Sequence, residues 1–228
     1  MNRGWLCTAS SLHFNNYHIA HLCCICYLIK TIYSPLKASQ NTQQSTIMSA
    51  AISKTLKRTA TSEICTVAGG CFWGVEHMYR KHFDGRIIDA KVGFANGKTI
   101  QPSYEQVCAG STGHSEAIQI SYEPNKVSYR ELIQFFFLMH DPTTVNAQGP
   151  DLGFQYRSAI FAANDAQKKI AEEVENETQK KWYPHDKIVT SIEPIKCFYD
   201  AEEYHQKYLF ENPTGYQCPT HILRTTPK

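Results

Sequence analysis

The period of the apolar residues changes repeatedly after position 63, and this pattern constrains the fold most. Residues 64–68 are predicted to form a short strand, and residues 71–82 have the apolar spacing of a helix. The same criteria predict, in order, strands at 88–92 and 116–122, a helix at 128–138, a strand at 156–160, a helix at 165–182, a strand at 188–192 and a helix at 201–210. Strands and helices mix without the strict alternation of a doubly wound sheet. The sequence therefore predicts an α+β two-layer sandwich, in which helices cover a mixed, mostly antiparallel sheet.

We expect a ferredoxin-like sheet followed by an irregular C-terminal tail. Residues 212–228 contain three prolines and one glycine, and they have neither a strand period nor a helix period. Prolines in such a segment prevent a helix or a strand from continuing. A tail of this kind can move over a site that a rigid scaffold holds in place.

Charge and composition exclude several classes of protein. The chain has 228 residues, with 23 lysines and arginines against 21 aspartates and glutamates, and 42% of its residues are hydrophobic. This near-neutral balance gives no basic face for nucleic acid, and no apolar run approaches the roughly 20 residues that span a bilayer. A disordered chain, a polytopic membrane protein and a nucleic-acid-binding protein driven by bulk charge are therefore excluded.

The first 47 residues differ from the rest of the chain, because they carry three basic residues and no acidic one. The apolar stretch at 19–29 has the length of a signal-peptide core, but no small-residue cleavage site follows it. A non-folding extension before a start at Met48 and a mitochondrial transit peptide both remain open. We expect a leader at 1–47 and one domain at 48–228. The expected location is cytoplasmic, or mitochondrial if the leader is a translated transit peptide.

Cysteine usage indicates a reducing compartment. The chain has nine cysteines, and an odd number argues against a secreted domain stapled by disulfides. Cys23 and Cys26 have the CxxC spacing, but no second pair of cysteines or histidines follows at the distance of a zinc site. His77, His114 and His140 are scattered along the sequence. We therefore predict no metal and no cofactor.

The segment 70–74, Gly-Cys-Phe-Trp-Gly, places a cysteine where a strand ends and a helix begins. A thiolate at a helix N-terminus is stabilised by the helix dipole and by free backbone N–H groups, so we expect a lowered pKa for Cys71. Phe72 and Trp73 are expected to line an apolar pocket that binds substrate beside the sulfur. The alternative is a buried core cysteine among aromatic residues. The adjacent glycines disfavour it, because they let another molecule approach the backbone.

These residues resemble the signature of the type A peptide methionine sulfoxide reductase family, and the resemblance extends over roughly residues 50–223. From Met48 onward the sequence is most similar to fungal members. Ser115 and Phe154 stand where the family usually has alanine and threonine. The other matching positions are Tyr104, Thr112–Ala117, His140–Thr144, Gln148–Gly149, Asp151, Gln155–Ser158 and Glu203–Gln206.

The resemblance implies an enzyme that reduces methionine sulfoxide with thioredoxin as the reductant. In this family the cysteine of the motif, here Cys71, attacks the sulfur of a methionine S-sulfoxide, either free or in an oxidised protein. It becomes a sulfenic acid while methionine leaves. A second cysteine then forms a disulfide that thioredoxin reduces. The implied role is repair of oxidised proteins, and we expect a monomer with no nucleic-acid or membrane partner.

Attack at sulfur leaves negative charge on the sulfoxide oxygen, so the site needs a proton donor. Glu116 is our candidate, because strand alternation turns it inward with Ile118 and burial raises the pKa of a carboxyl. Without the context of Cys71, an inward structural glutamate would be an equal alternative. Tyr104 and Tyr156 match the family motif and are expected to donate hydrogen bonds to the same oxygen as neutral groups.

Two further residues complete the predicted site. Asp151 is expected to support substrate binding, with a turn aspartate as the equal alternative. Cys218 is the candidate resolving thiol, because it lies in the irregular tail and resembles the family's recycling segment. Among the other cysteines, Cys65 is expected on a rigid strand and Cys108 at an apolar core position, whereas Cys197 remains a competitor.

Two other classes of function remain open. A thiol peroxidase or disulfide oxidoreductase would share an activated cysteine, but it would usually need a cationic partner or a CxxC motif beside it. A non-enzymatic interaction module would not need glycines beside a cysteine together with an inward glutamate. The pH dependence of Cys71 alkylation separates the module from both enzymes. Turnover of methionine sulfoxide or of hydrogen peroxide then separates the two enzymes.

Overall fold

The computed structural model describes residues 51–228, and a six-stranded sheet forms their centre. Eight strands occur in these residues: β1 Glu63–Gly69, β2 Ile87–Ala95, β3 Ser115–Tyr122, β4 Ala147–Gln148, β5 Asp151–Leu152, β6 Ser158–Ala162, β7 Ser191–Pro194 and β8 Phe198–Asp200. The order across the large sheet is β7-β6-β1-β3-β2-β8, and β4 pairs with β5 as a separate hairpin. The pairing of β6 with β7 is parallel, and the others in this part of the chain are antiparallel.

Five α-helices accompany the sheet: α1 Phe72–His82, α2 Tyr104–Cys108, α3 Tyr129–Met139, α4 Asp165–Trp182 and α5 Tyr208–Glu211. Short 3-10 helices cover Phe154–Tyr156 and Glu203–His205. The succession β1-α1-β2-β3-α3-β6, with sheet order β6-β1-β3-β2, is the ferredoxin-like arrangement. The predicted α+β fold with a mixed, mostly antiparallel sheet is confirmed.

The central strand β3 is buried along its whole length. Its residues Ile118 and Ile120 belong to the larger apolar core, which also contains aromatic and aliphatic side chains of α1 and α3. The opposite face of the sheet carries a smaller cluster of alanines with Phe161 and Phe198. Because side chains alternate along a strand, Glu116 shares the face of Ile118, toward the helices and the start of α1.

Three predicted elements differ from the observed ones. The strand predicted from Tyr156 begins at Ser158, because Tyr156 ends a 3-10 turn in which its N–H donates to Gly153 O. The strand predicted at 188–192 lies at Ser191–Pro194, where it pairs with β6. The helix predicted at 201–210 is interrupted, since Lys207 has a left-handed conformation with φ of 55°.

The tail from 212 to 228 contains no helix or strand, as predicted, but it is packed against the domain. The N–H of Arg224 donates to Leu138 O at 2.9 Å, and the N–H of Lys228 donates to Trp182 O at 2.8 Å. The ammonium group of Lys228 also pairs with Asp141 at 2.9 Å. Within residues 51–228 no helix has both the length and the apolarity to cross a membrane.

Candidate active site

Cys71 lies directly before α1, at the end of the turn that leaves β1. Gly70 has a φ of 92°, a backbone conformation that favours glycine, and it lets the chain turn into the helix. The backbone N–H groups of Trp73 and Gly74 point toward the Cys71 sulfur and favour its ionised form. The thiol is 7% exposed, so it lies inside the surface at the first turn of the helix.

The pKa of Cys71 is raised well above its ordinary value, so the predicted lowering is wrong for the substrate-free protein. Burial is the largest cause, because a thiolate loses its hydration there, and the nearby Glu116 carboxyl adds to it. The two N–H groups of the helix start act in the expected direction but are outweighed. At neutral pH the sulfur is therefore a thiol.

The carboxyl of Glu116 meets the first residue of α1. The N–H of Phe72 donates to Glu116 Oε2 at 3.0 Å, while Oε1 has no hydrogen-bond partner in residues 51–228. Burial raises the pKa of Glu116 from 4.5 to about 8, with a further contribution from Asp151, and the Phe72 N–H opposes the rise. The carboxyl is thus protonated at neutral pH, as the sequence leads us to expect.

Tyr104 and Tyr156 reach the same region from separate elements. Tyr104 begins α2, whose first turn is fixed by the capping box of Ser103 and by a bond of 3.0 Å from Tyr104 N–H to Glu202. Burial raises the pKa of both phenols, and the charge of Glu116 contributes to each rise. Both are therefore neutral hydroxyl groups next to the Glu116 carboxyl.

The aromatic pair after Cys71 packs against rings from other elements. Phe72 is buried, and its ring lies 6.4 Å from that of Tyr104 between centroids. Trp73 is half-buried, stacks on Tyr208 at 3.8 Å and donates its indole N–H to His205 Nδ1 at 3.0 Å. The sequence alone predicts no functional role for His205, although the residue lies in a segment that matches the family.

Asp151 in the β4–β5 hairpin lies near the thiols of Cys71 and Cys218. The hydroxyl of Tyr216 donates to Asp151 Oδ1 at 2.8 Å, and Oδ2 is buried without a partner in the described part of the chain. Its negative charge raises the pKa of both Cys71 and Cys218. Tyr216 gave no signal in the sequence.

Cys218 is buried, and hydrogen bonds hold the irregular tail around it against the domain. Its S–H donates to Gln148 O at 3.3 Å, and the hydroxyl of Thr220 donates to Gln148 Oε1 at 2.6 Å. The ring of His221 hydrogen-bonds Gly69 O at 2.7 Å and fills the space over Gly74, where an added methyl group would overlap it. The tail is therefore docked on the segment that carries Cys71.

The five cysteines in residues 51–228 are all free thiols. Cys65 is fully buried in β1, as expected, and Cys197 is half-buried. The prediction of an apolar core position for Cys108 is wrong, because the short helix α2 ends with this residue exposed to solvent. No group of three or more histidine, cysteine, aspartate or glutamate side chains in these residues is arranged to hold a metal ion.

Comparison with known proteins identifies the family. A family model described as peptide methionine sulfoxide reductase matches residues 63–227. The peptide methionine sulfoxide reductase of Saccharomyces cerevisiae is 54% identical over 184 residues, which cover 78% of this chain and 99% of the relative. Peptide methionine sulfoxide reductase MsrA of Methanothermobacter thermautotrophicus is 47% identical over 66% of this chain and 88% of its own length.

A solved structure extends the likeness to the fold. The reduced form of Mxr1 from Saccharomyces cerevisiae has a TM-score of 0.73 and 54% identity, covering 76% of this chain and 99% of its own. Family match, identity and fold therefore agree along the same part of the sequence. The chain belongs to the peptide methionine sulfoxide reductase family, as a fungal-like member of type A, and it is an enzyme that reduces methionine sulfoxide.

Proposed function

We propose that this enzyme reduces the S epimer of methionine sulfoxide, free and in proteins, through a sulfenic acid on Cys71 and a Cys71–Cys218 disulfide recycled by thioredoxin. The observation that carries the proposal is the protonated Glu116 carboxyl, which lies beside Cys71 and, within residues 51–228, hydrogen-bonds only through Oε2. A nucleophile and a proton donor at one helix start are what attack on a sulfoxide needs.

In the first step, the Cys71 sulfur attacks the sulfur of the sulfoxide. The sulfoxide oxygen takes the proton of Glu116 and accepts hydrogen bonds from Tyr104 and Tyr156, and the proton that the attacking Cys71 thiol loses returns to Glu116. Oxygen is transferred to Cys71, the thiol is oxidised to a sulfenic acid, and the substrate is reduced to methionine. The hydrogen of the thiol balances the sulfenic hydroxyl, so the step consumes no net proton. Phe72 and Trp73 enclose the methyl group of the substrate, and Asp151 supports its binding.

In the second step, Cys218 attacks the sulfenic acid. A Cys71–Cys218 bond forms, and water leaves with the sulfenic oxygen and the Cys218 proton. The charge of Asp151 acts on both sulfurs, which supports their common location. Cys218 is also covered by contacts to Gln148 and Thr220, so the attack includes breaking those hydrogen bonds.

Thioredoxin then reduces the disulfide, and its own dithiol becomes oxidised. A solved structure of Mxr1 from Saccharomyces cerevisiae in complex with Trx2 supports this partner, since this chain matches that structure with a TM-score of 0.55 and 43% identity over the aligned residues. The biological role that fits the reaction is repair of oxidised proteins. A monomeric catalytic domain at 48–228 and a leader at 1–47, in a cytoplasmic or mitochondrial protein, remain part of this proposal.

The test is Cys218→Ser, with Cys197→Ser as the matched control. We expect Cys218→Ser to release one methionine per enzyme, to carry a sulfenic acid that dimedone traps on Cys71, and to lose thioredoxin-driven turnover. Cys197→Ser should behave like the wild type, which resolves the sulfenic acid into the Cys71–Cys218 disulfide and turns over with thioredoxin. Normal thioredoxin-driven turnover by Cys218→Ser would contradict the proposed resolving role, and a mapped Cys71–Cys197 disulfide would transfer that role to Cys197.

A further inference from the structure

The ring of His205 lies among the aromatic side chains of the candidate active site. Its centroid is 5.1 Å from that of Phe72, 5.6 Å from that of Trp73 and 4.4 Å from that of Tyr104. The ring therefore packs against both aromatic residues that follow Cys71 and against one of the two tyrosines expected to bind the sulfoxide oxygen. A group in this position can act on several side chains of the site at once.

The hydrogen bond of His205 to Trp73 determines the tautomer of the imidazole. Burial lowers the pKa of His205 below its ordinary value, with the charges of Glu202 and Glu105 acting in the opposite direction. The ring is therefore neutral at neutral pH and carries a single N–H. Trp73 donates its indole N–H to Nδ1 at 3.0 Å. Because Nδ1 is the acceptor, the hydrogen lies on Nε2.

The carboxyl group of Glu202 faces this Nε2–H. Its Oε2 lies 3.9 Å from His205 Nε2, and both atoms are buried without a hydrogen-bond partner in residues 51–228. This distance is longer than a hydrogen bond, so the attraction between the two groups is electrostatic. The other oxygen, Oε1, accepts the backbone N–H of Tyr104 at 3.0 Å. A carboxylate offers acceptors only, and it therefore favours the tautomer in which His205 accepts from Trp73.

We propose that His205 and Glu202 are positioning residues that hold the indole of Trp73 in the orientation that binds the methyl group of the substrate. This inference rests on the proposed function, because that function assigns Trp73 to substrate binding. The stack on Tyr208 fixes the plane of the indole, whereas the bond to His205 fixes its rotation within that plane. Since Glu202 also holds the backbone of Tyr104, one carboxyl group acts on both the methyl-binding and the oxygen-binding side of the pocket.

The first test compares His205→Leu with His205→Asn. Leucine and asparagine have nearly the same shape, so both variants lose the ring and its stacking equally, but only asparagine offers an acceptor near the position of Nδ1. The readout is the indole N–H signal of Trp73 in a ¹⁵N–¹H spectrum of the full chain, assigned with Trp73→Phe. We expect this signal to move upfield and to exchange faster with water in His205→Leu. His205→Asn should restore most of the wild-type signal.

Single-turnover reduction of N-acetyl-methionine S-sulfoxide measures the effect on the substrate. The half-saturating concentration should rise about fivefold in His205→Leu, which corresponds to the loss of one neutral hydrogen bond. The maximal rate should stay within about twofold of wild type, because the bond acts on binding rather than on proton transfer. His205→Asn should return the half-saturating concentration toward the wild-type value.

The second test is Glu202→Gln, with the exposed neighbour Glu203→Gln as the matched control. A glutamine side chain has one acceptor oxygen, so it cannot accept from both Tyr104 N–H and His205 Nε2–H. We expect the indole signal to move in the same direction as in His205→Leu, and Glu203→Gln should leave it unchanged.

Equal indole signals in His205→Leu and His205→Asn would overturn the inference, and so would a higher half-saturating concentration in His205→Leu without a change of that signal. An unchanged half-saturating concentration in Trp73→Phe would instead overturn the proposed role of Trp73 and, with it, this inference. Absence of methionine formation by the wild type would overturn the proposed function as a whole.

Discussion

Replacing Glu116 by glutamine should make the enzyme more stable and much less active. In the folded protein the carboxyl stays protonated up to a pKa of about 8, whereas its ordinary pKa is 4.5. Between these values the folded state binds a proton that the unfolded chain has lost. Stability of the wild type therefore falls as pH rises through this window.

The expected gain in the free energy of unfolding follows from the same two pKa values. Each pKa unit corresponds to about 1.36 kcal/mol, so the rise from 4.5 to about 8 costs the wild type on the order of 4–5 kcal/mol at pH 8. Glutamine has no proton to lose, and its oxygen can still accept the Phe72 N–H. The free energy of unfolding of Glu116→Gln should thus equal that of the wild type at pH 4 and exceed it increasingly toward pH 8.

Urea unfolding at several pH values measures the stability difference, and a single-turnover assay measures the reduction step. We expect the reduction step to slow by about 10²- to 10⁴-fold, the usual cost of losing a general acid. Glu131→Gln is the control, because hydrogen bonds from Ser128 and the Arg86 pair lower the pKa of Glu131 to about 2. That variant should lose stability at neutral pH. A stability difference between Glu116→Gln and the wild type that does not change with pH would refute the reasoning.

Cys71→Ser should abolish reduction even with a strong chemical dithiol, since a hydroxyl is a far poorer nucleophile, and residual turnover above about a tenth of wild type would contradict the role. Iodoacetamide should modify the exposed Cys108 before Cys71 at pH 7 to 8, because burial raises the pKa of Cys71. Peptide mapping by mass spectrometry measures the order of modification, and labelling of Cys71 before Cys108 would contradict the prediction. Gly74→Ala should displace the His221 ring, expose Cys218 to alkylation and slow thioredoxin-driven turnover. The double variant Gly74→Ala/His221→Ala should restore the protection of Cys218 from alkylation. Equal labelling of Cys218 in both variants would argue against docking of the tail.

Local sequence patterns predicted the elements that local interactions determine. The helix expected at 71–82 is observed at Phe72–His82, and the helix expected at 165–182 at Asp165–Trp182. The elements that were misplaced depend on distant contacts. The parallel pairing with β6 sets the position of β7, and a left-handed residue, Lys207, divides the last predicted helix. Neither feature can be read from the periodic spacing of apolar residues in the sequence.

In the candidate site, too, the features set by local sequence were predicted and those set by distant contacts were not. Strand alternation was enough to turn Glu116 inward, and the strand-to-helix junction was enough to locate Cys71. The direction of the Cys71 pKa could not be predicted, because it depends on how much protein covers the sulfur rather than on the helix start alone. The burial of Cys218 depends on a contact between His221 and Gly69, which are 152 residues apart in the sequence.

The covered, protonated state of Cys71 and Cys218 has a consequence for an enzyme whose substrate is made by oxidants. Peroxides oxidise thiolates much faster than thiols, and over-oxidation to sulfinic or sulfonic acid is not reversed by a dithiol. A resting enzyme with both sulfurs protonated and shielded is a poor target for that reaction. We therefore expect peroxide to oxidise Cys71 and Cys218 slowly, so that the enzyme outlasts the oxidant that damages methionines elsewhere.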